Sequence, residues 1–348
     1  MQISALGISF GFNAAFGLMD SFCVKDQGRS ITPLHRAPWV GSDEEMPPDA
    51  APHLAVLGGD FFCAPFGARE GFSPLHGWPP NSRWHVTQAN GGILEAELER
   101  RVFDAQLRKR LVVRDGHPFV YQSHTFDGGN GRVSCANHAS VSVRNGAHIR
   151  TSPKAIWETP ATPQETDPTR GRSALVYPTQ SENPKAFPAT DGMVNLTSYP
   201  WRDRNEDFVI GIEAKGSSLG WTAVSRLGSG DLFLSLRNPV QLPMTMLWHS
   251  NGGRDYPPWS ARHVGCLGVE EGAAAHLLGI SKEADLCGPG EIELGNRVVI
   301  RHVIGAIDWP TEDPVDNVVI DGEALVVTGE TGAISQVPFD VEFLNVEN

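Results

Sequence analysis

A two-residue rhythm of apolar and polar side chains, cut at short intervals by glycine-bearing turns, restricts this chain's fold more than anything else in it. Over residues 93–101, Leu94, Ala96 and Leu98 alternate with Glu95, Glu97 and Glu99, and Asn90-Gly91-Gly92 joins this run to residues 84–88. A second hairpin is predicted at Asp115-Gly116, between residues 107–113 and 117–126. Residues 132–143 alternate as well, with Val133, Cys135, Asn137, Ala139, Val141 and Val143 on one face and Ser134, Ala136, His138, Ser140 and Ser142 on the other. Further strands are expected at 207–214, 221–226, 231–236, 244–249, 263–272 and 297–307, and none of the chain reads as a long amphipathic helix. With 37 glycines, 26 prolines and only 20% charged residues, the composition suits many short strands. We therefore expect an all-β, antiparallel chain folded as a single domain over residues 1–348, with 311–348 closing the sheets.

The proline-rich stretch 151–192 reads as a long loop, and 33–52, rich in prolines and acids, as an exposed one. A net charge of −13 argues against nucleic-acid or anionic-membrane partners. The apolar run 3–19 lacks the basic flank of a signal peptide, and no stretch has the ~20 apolar residues of a membrane span. Five cysteines (Cys23, Cys63, Cys135, Cys266, Cys287) form no CxxC or finger spacing and read as buried thiols of a reducing compartment, so a cytoplasmic location is expected.

Chemistry-bearing residues concentrate in three places. Residues 58–86 carry Gly58-Gly59, the apolar run Phe61-Phe62-Cys63, a Pro-Phe-Gly break and then His76-Gly77-Trp78, on a loop stiffened by Pro79 and Pro80. His138 shares its face with residues too small to cover it, and Glu270 shares one with Gly268 and Cys266. Glu271, facing oppositely, is the competing carboxylate. Its claim strengthens if the strand stops at Val269.

This pattern resembles the galactose mutarotase-like superfamily, most closely its aldose 1-epimerase and hexose-6-phosphate epimerase branch. The branch carries a Gly pair, a W-P-x-FG-like segment and an HGFARNxxW-like segment, of which this chain keeps His76, Gly77, an aromatic at Trp78, Asn81 and Trp84. It departs by placing Pro80 where the Arg falls, Leu57 where sugar-phosphate members have a basic residue, and Glu271 where a Pro follows the Glu; no aromatic pair follows His138. The resemblance implies a two-sheet β-supersandwich that interconverts the anomers of a free, non-phosphorylated sugar without a cofactor. It implies Glu270 as base, His138 as acid and His76 as the orienting group, with Asn81, Trp78, Trp84, Trp248 and Asp207 (or Glu206) on the sugar and Arg69 or Arg83 in place of the missing cations. At ordinary pKa values such a Glu would be ionised and such a His partly protonated near neutrality. The implied partner is a small-molecule sugar, and a homodimer is compatible. A non-catalytic carbohydrate-binding protein of this fold is the alternative. A metal held by His76, His85, His124, His138 and Glu270 is a weaker one, since no metal-ligand spacing supports it.

Overall fold

The computed structural model describes residues 1–345 apart from positions 27, 69, 70, 72, 73, 311 and 312. Two large antiparallel sheets dominate it. The first, of 11 strands, runs Gln2–Ala5, Ile8–Asn13, Leu18–Asp26, Asp60–Cys63, Cys135–Ser142, Cys266–Ala273, Met244–Asn251, Asn205–Glu213, Lys154–Glu158 and Gln180–Ser181, with Arg29–Ile31 off this path. The second, of 9 strands, contains both predicted hairpins (Trp84–Asn90 with Ile93–Leu98, Gln106–Val112 with Phe119–Asp127) and the long Val298–Asp308 strand.

Alternation decides what each face does. Cys135, Ala139, Val141, Val209, Leu247, Leu267 and Val269 of the first sheet meet Leu94, Leu98, Leu107, Val120, Phe233 and Ile300 of the second in the main core. The outer face of the first sheet, carrying Phe61, Ala136, Phe208, Trp248 and Cys266, is roofed by the short helix Pro52–Val56 and by loops. Small and aromatic residues on that face leave room under the roof, and the pocket described below forms there.

Three sequence expectations change. The described residues of 313–345 add no strand to either large sheet. Val315–Asp321, Ala324–Gly329 and Ile334–Pro338 make a sheet of their own, which covers the outer face of the second through Val318, Leu325, Val327 and Phe339. The stretch 151–192 is not one loop, since Lys154–Glu158, Gln180–Ser181 and Phe187–Ala189 are strands; its prolines hid them. Within 33–52, His35, Ala37 and Trp39 are buried, and the Trp39 indole donates to the Leu54 carbonyl. Residues 35–39 thus form a strap with one buried side, while 41–49 are exposed or half-buried as expected.

One polar cluster sits between the sheets. Arg237 lies 2.7 Å from the Glu271 carboxylate and 2.6 Å from that of Glu213, which also takes Lys154 at 2.8 Å, all with side chains wholly buried. Thr222 and Thr245 donate to Glu271 at 2.6 and 2.8 Å. Two cations and two carboxylates cancel, the condition on which charges survive inside a protein.

Candidate active site

The strand Cys266–Ala273 runs past Val269 through Gly272, so the alternation that separates Glu270 from Glu271 holds. Glu271 points between the sheets into the Arg237 cluster and is structural. Glu270 points the other way, directly across the ladder from His138, its partner in register. Its Oε1 is 3.1 Å from His138 Nε2. Gly268 makes that placement possible, because a Cβ there would stand 2.7 Å from Glu270 Oε1 and 2.9 Å from the Trp248 Cβ. On its other side His138 stacks on Phe61 at 4.4 Å, a cross-strand neighbour from Asp60–Cys63.

His76 arrives from a loop. Its own φ is +66°, and Gly77, at φ +70°, lies so close to the Ala64 carbonyl that a Cβ would sit 2.0 Å from that oxygen, so the position after the histidine admits only glycine. Gly67 N–H donates to His76 Nδ1 at 3.2 Å, which puts the ring proton on Nε2. The His76 and His138 rings are 5.5 Å apart, edge to face. Asn81 holds the loop without touching the cavity. Its Nδ2 donates to the carbonyls of Leu75 and Gly77 (2.8 and 2.7 Å), and its Oδ1 accepts from the backbone N–H of His53 at 2.9 Å and lies 3.0 Å from His53 Nδ1.

Together these groups line a cavity of about 310 Å³ that includes His76, His138, Glu270 and Trp248. That volume is at the small end of ligand sites, ~300–1,000 Å³, and suits one ring-sized ligand. Two further lining residues carry no sequence signal. His53, from the Pro52–Val56 helix, is 5.3 Å from His76 ring to ring. Arg254 follows the Asn251-Gly252-Gly253 turn and pairs with Glu206 at 3.1 Å while its guanidinium lies 4.3 Å over Trp259.

Burial sets the protonation of the pair against the sequence expectation. It pushes the Glu270 carboxyl well above the usual carboxylate range and holds His138 down to about 3, with the His53 imidazole adding to the latter. Both shifts favour a neutral carboxyl hydrogen-bonded to a neutral imidazole. Burial and then the neighbouring imidazoles also keep His76 neutral, and burial lowers His53 to about 4. Glu270 Oε2 and His138 Nδ1 are buried without a partner, so each group retains one unused polar atom.

The remaining sequence candidates lie elsewhere. Trp84 opens the second sheet facing the core, its indole donating to Pro79 O at 2.8 Å and its ring under the Lys109 ammonium. Trp78 is covered by the Arg100 guanidinium at 4.5 Å and packs on the same core. Arg83 is an exposed partner of Glu99. Asp207 is buried away from the pocket, accepting from the backbone of Ala174 and Leu175 and from Asn205 and Tyr177; alternation puts Phe208 and Glu206 on the pocket face instead. Glu206 takes the Trp248 indole at 2.5 Å and the Ser250 hydroxyl at 2.8 Å. Arg69 lies outside the described residues. The five-ligand metal centre does not assemble, since His85 is exposed on the second sheet and His124 is stacked on Phe62 between the sheets.

No protein-family model matches the sequence, and no curated protein matches it. Solved structures do match in fold. A candidate aldose 1-epimerase from Escherichia coli K12 superposes with a TM-score of 0.59 at 11% identity, covering 88% of this chain and 98% of that one. A galactose mutarotase related enzyme from Lactobacillus acidophilus gives 0.55 at 10% identity, covering 89% and 98%. A galactose mutarotase-like protein from Lactobacillus casei gives 0.53 at 10% identity, covering 88% and 99%. No helix among the described residues is long and apolar enough to cross a membrane. By sheet order, cross-strand register and these superpositions, the chain has the galactose mutarotase-like fold.

Proposed function

We propose that this chain is an aldose 1-epimerase-like enzyme that interconverts the anomers of a free, uncharged sugar by acid-base catalysis. The observation that carries this reading is the cross-strand His138–Glu270 pair, 3.1 Å apart on the floor of a ring-sized cavity faced by Trp248 and His76. Mutarotation removes a proton from the C1 hydroxyl, adds one to the ring oxygen, breaks the C1–ring oxygen bond, and recloses the aldehyde from its other face. Both oxygens are bonded to one carbon, so adjacent acid and base groups can serve them together. They need not stand on opposite sides of the ring. Starting from the neutral pair, Glu270 protonates the ring oxygen while His138 takes the hydroxyl proton; ring closure returns both, and the pair is ready for either anomer. A positioned general acid or base contributes roughly 10²- to 10⁴-fold.

His76, with its proton on Nε2, donates to a sugar oxygen, and Trp248 offers a ring face to the apolar side of the pyranose. Arg254 is the only permanent cation among the described lining residues, and Glu206 already neutralises it, which favours an uncharged ligand over a phosphate dianion. The test is saturation transfer between the anomeric proton signals of glucose and galactose, with parent protein and Glu270→Gln. The expected result is acceleration by the parent and its loss in the variant. Equal exchange rates for the two would refute the role of Glu270. Calorimetric binding with no acceleration by the parent would make the protein a sugar binder without this activity.

A further inference from the structure

Behind the pocket wall lies a second group of side chains that the proposed chemistry does not use. His35 from the strap, His263 from the loop after Met244–Asn251, and Cys266 at the start of the next strand bring two imidazole nitrogens and one sulfur within 4.8 Å of one another. Among the described residues this is the one place where three such donors converge. All three are buried.

Two observations mark this as more than a chance meeting. First, Nε2 of His35 and Nε2 of His263 are both buried with no hydrogen-bond partner, a costly arrangement for paired imidazoles unless something accepts their lone pairs. Second, the outer hydrogen bonding of His263 is arranged as metal-ligating histidines have it. Ser250 Oγ donates to Glu206 at 2.8 Å, so its oxygen is free to accept from His263 Nδ1–H at 2.7 Å. That chain puts the His263 proton on Nδ1 and leaves Nε2 a bare lone pair facing the cluster. The backbone is equally set, because His35 N–H donates to Ser140 O at 2.7 Å and His35 O accepts from Gly59 at 2.9 Å.

We propose that His35, His263 and Cys266 bind a zinc ion, clipping the strap to the loop and the strand behind the pocket. Imidazole and thiolate are the ligands zinc prefers. Cysteine ligates zinc as its thiolate, so binding forms one sulfur–zinc bond, breaks the S–H bond and releases one proton to solvent. The clip would brace the pocket, because the His263 ring stacks on Trp248 at 5.4 Å.

The experiment titrates chelator-treated, dialysed full-length protein with cobalt(II) alone and then with zinc(II). The parent should take one equivalent of cobalt with a thiolate-to-cobalt charge-transfer band, and zinc should displace it. Cys266→Ser should abolish the band, and His35→Gln should weaken binding at least tenfold, as loss of even an outer partner costs 10- to 100-fold. Cys23→Ser and Cys287→Ser, at the two half-buried thiols, should leave the band intact. If Cys266→Ser does not fold, His35→Gln decides the matter through the zinc-dependent rise in melting temperature that the parent shows and this variant loses. No stoichiometric uptake by the parent, or a charge-transfer band that survives Cys266→Ser, would overturn the proposal.

Discussion

Gly268→Ala tests the geometry of the pocket floor more sharply than removing a reactive group would. Gly268 has an ordinary extended backbone, so alanine brings no φ strain and the whole effect is steric. The added methyl would stand 2.7 Å from Glu270 Oε1, about 0.7 Å inside ordinary contact, and 2.9 Å from the Trp248 Cβ. Trp248 Cβ is fixed by its backbone, which pairs with Gly268 in the ladder, so that contact opens only by a small shift between the strands, while the carboxyl swings aside. Crowding of this kind costs ~1–3 kcal/mol of stability. Displacing a catalytic group by close to 1 Å costs up to about 10²-fold in rate. We expect kcat/KM for anomer exchange to fall 10- to 100-fold while the melting temperature drops only a few degrees, both read on the same preparation. A variant that exchanges anomers at the parent rate would show that the observed position of Glu270 is not the one that matters.

Three other outcomes follow from the same structure. Asn81→Ala removes the bracket around His76 and the partner of His53; KM for the sugar should rise more than kcat falls, with ~1–3 kcal/mol lost in urea unfolding. His249, packed between Tyr199 and Trp201, has its pKa lowered by burial from 6.5 to about 3, so it favours folding above pH 6.5 and that contribution drains away as pH falls toward 3, at ~1.4 kcal/mol per pH unit. Comparing urea midpoints near neutrality and at about pH 5, the parent should lose ~2 kcal/mol more than His249→Gln; equal losses would contradict the buried neutral imidazole. Arg237→Met leaves Glu271 without a cation between the sheets and Glu213 with Lys154 alone, and should cost ~3–5 kcal/mol in denaturant unfolding, whereas a change below 1 kcal/mol would mean that the cluster is hydrated.

What could be read before folding was the part governed by local periodicity. Alternation placed His138 and Glu270 on a common kind of face and both hairpins in position, because the pleat forces that outcome wherever a strand forms. The same rule puts Glu206, not Asp207, on the face of Phe208, so motif likeness misled where alternation would have served. Trp78, Trp84 and Arg83 sit near His76 in sequence, yet the chain passes from the loop into the second sheet at Trp84 and carries them away from the cavity. His53 and Arg254 lie on a helix turn and a loop with no period to betray them. The protonation of the Glu270–His138 pair was out of reach for a different reason: it depends on how completely distant segments exclude water, which no neighbouring residue encodes.

The adjacency of Glu270 and Glu271 has a consequence for how the molecule assembles. Two consecutive residues of one kind face opposite ways, so a shift of the strand by a single step would exchange them without altering composition. Leu267 and Val269 remove that ambiguity, since a one-step slip would turn both out of the core, and with them on its side Glu271 meets Arg237 while the neighbouring carboxyl is committed to the cavity. Two apolar residues that never meet the ligand thus settle which of two identical acids does.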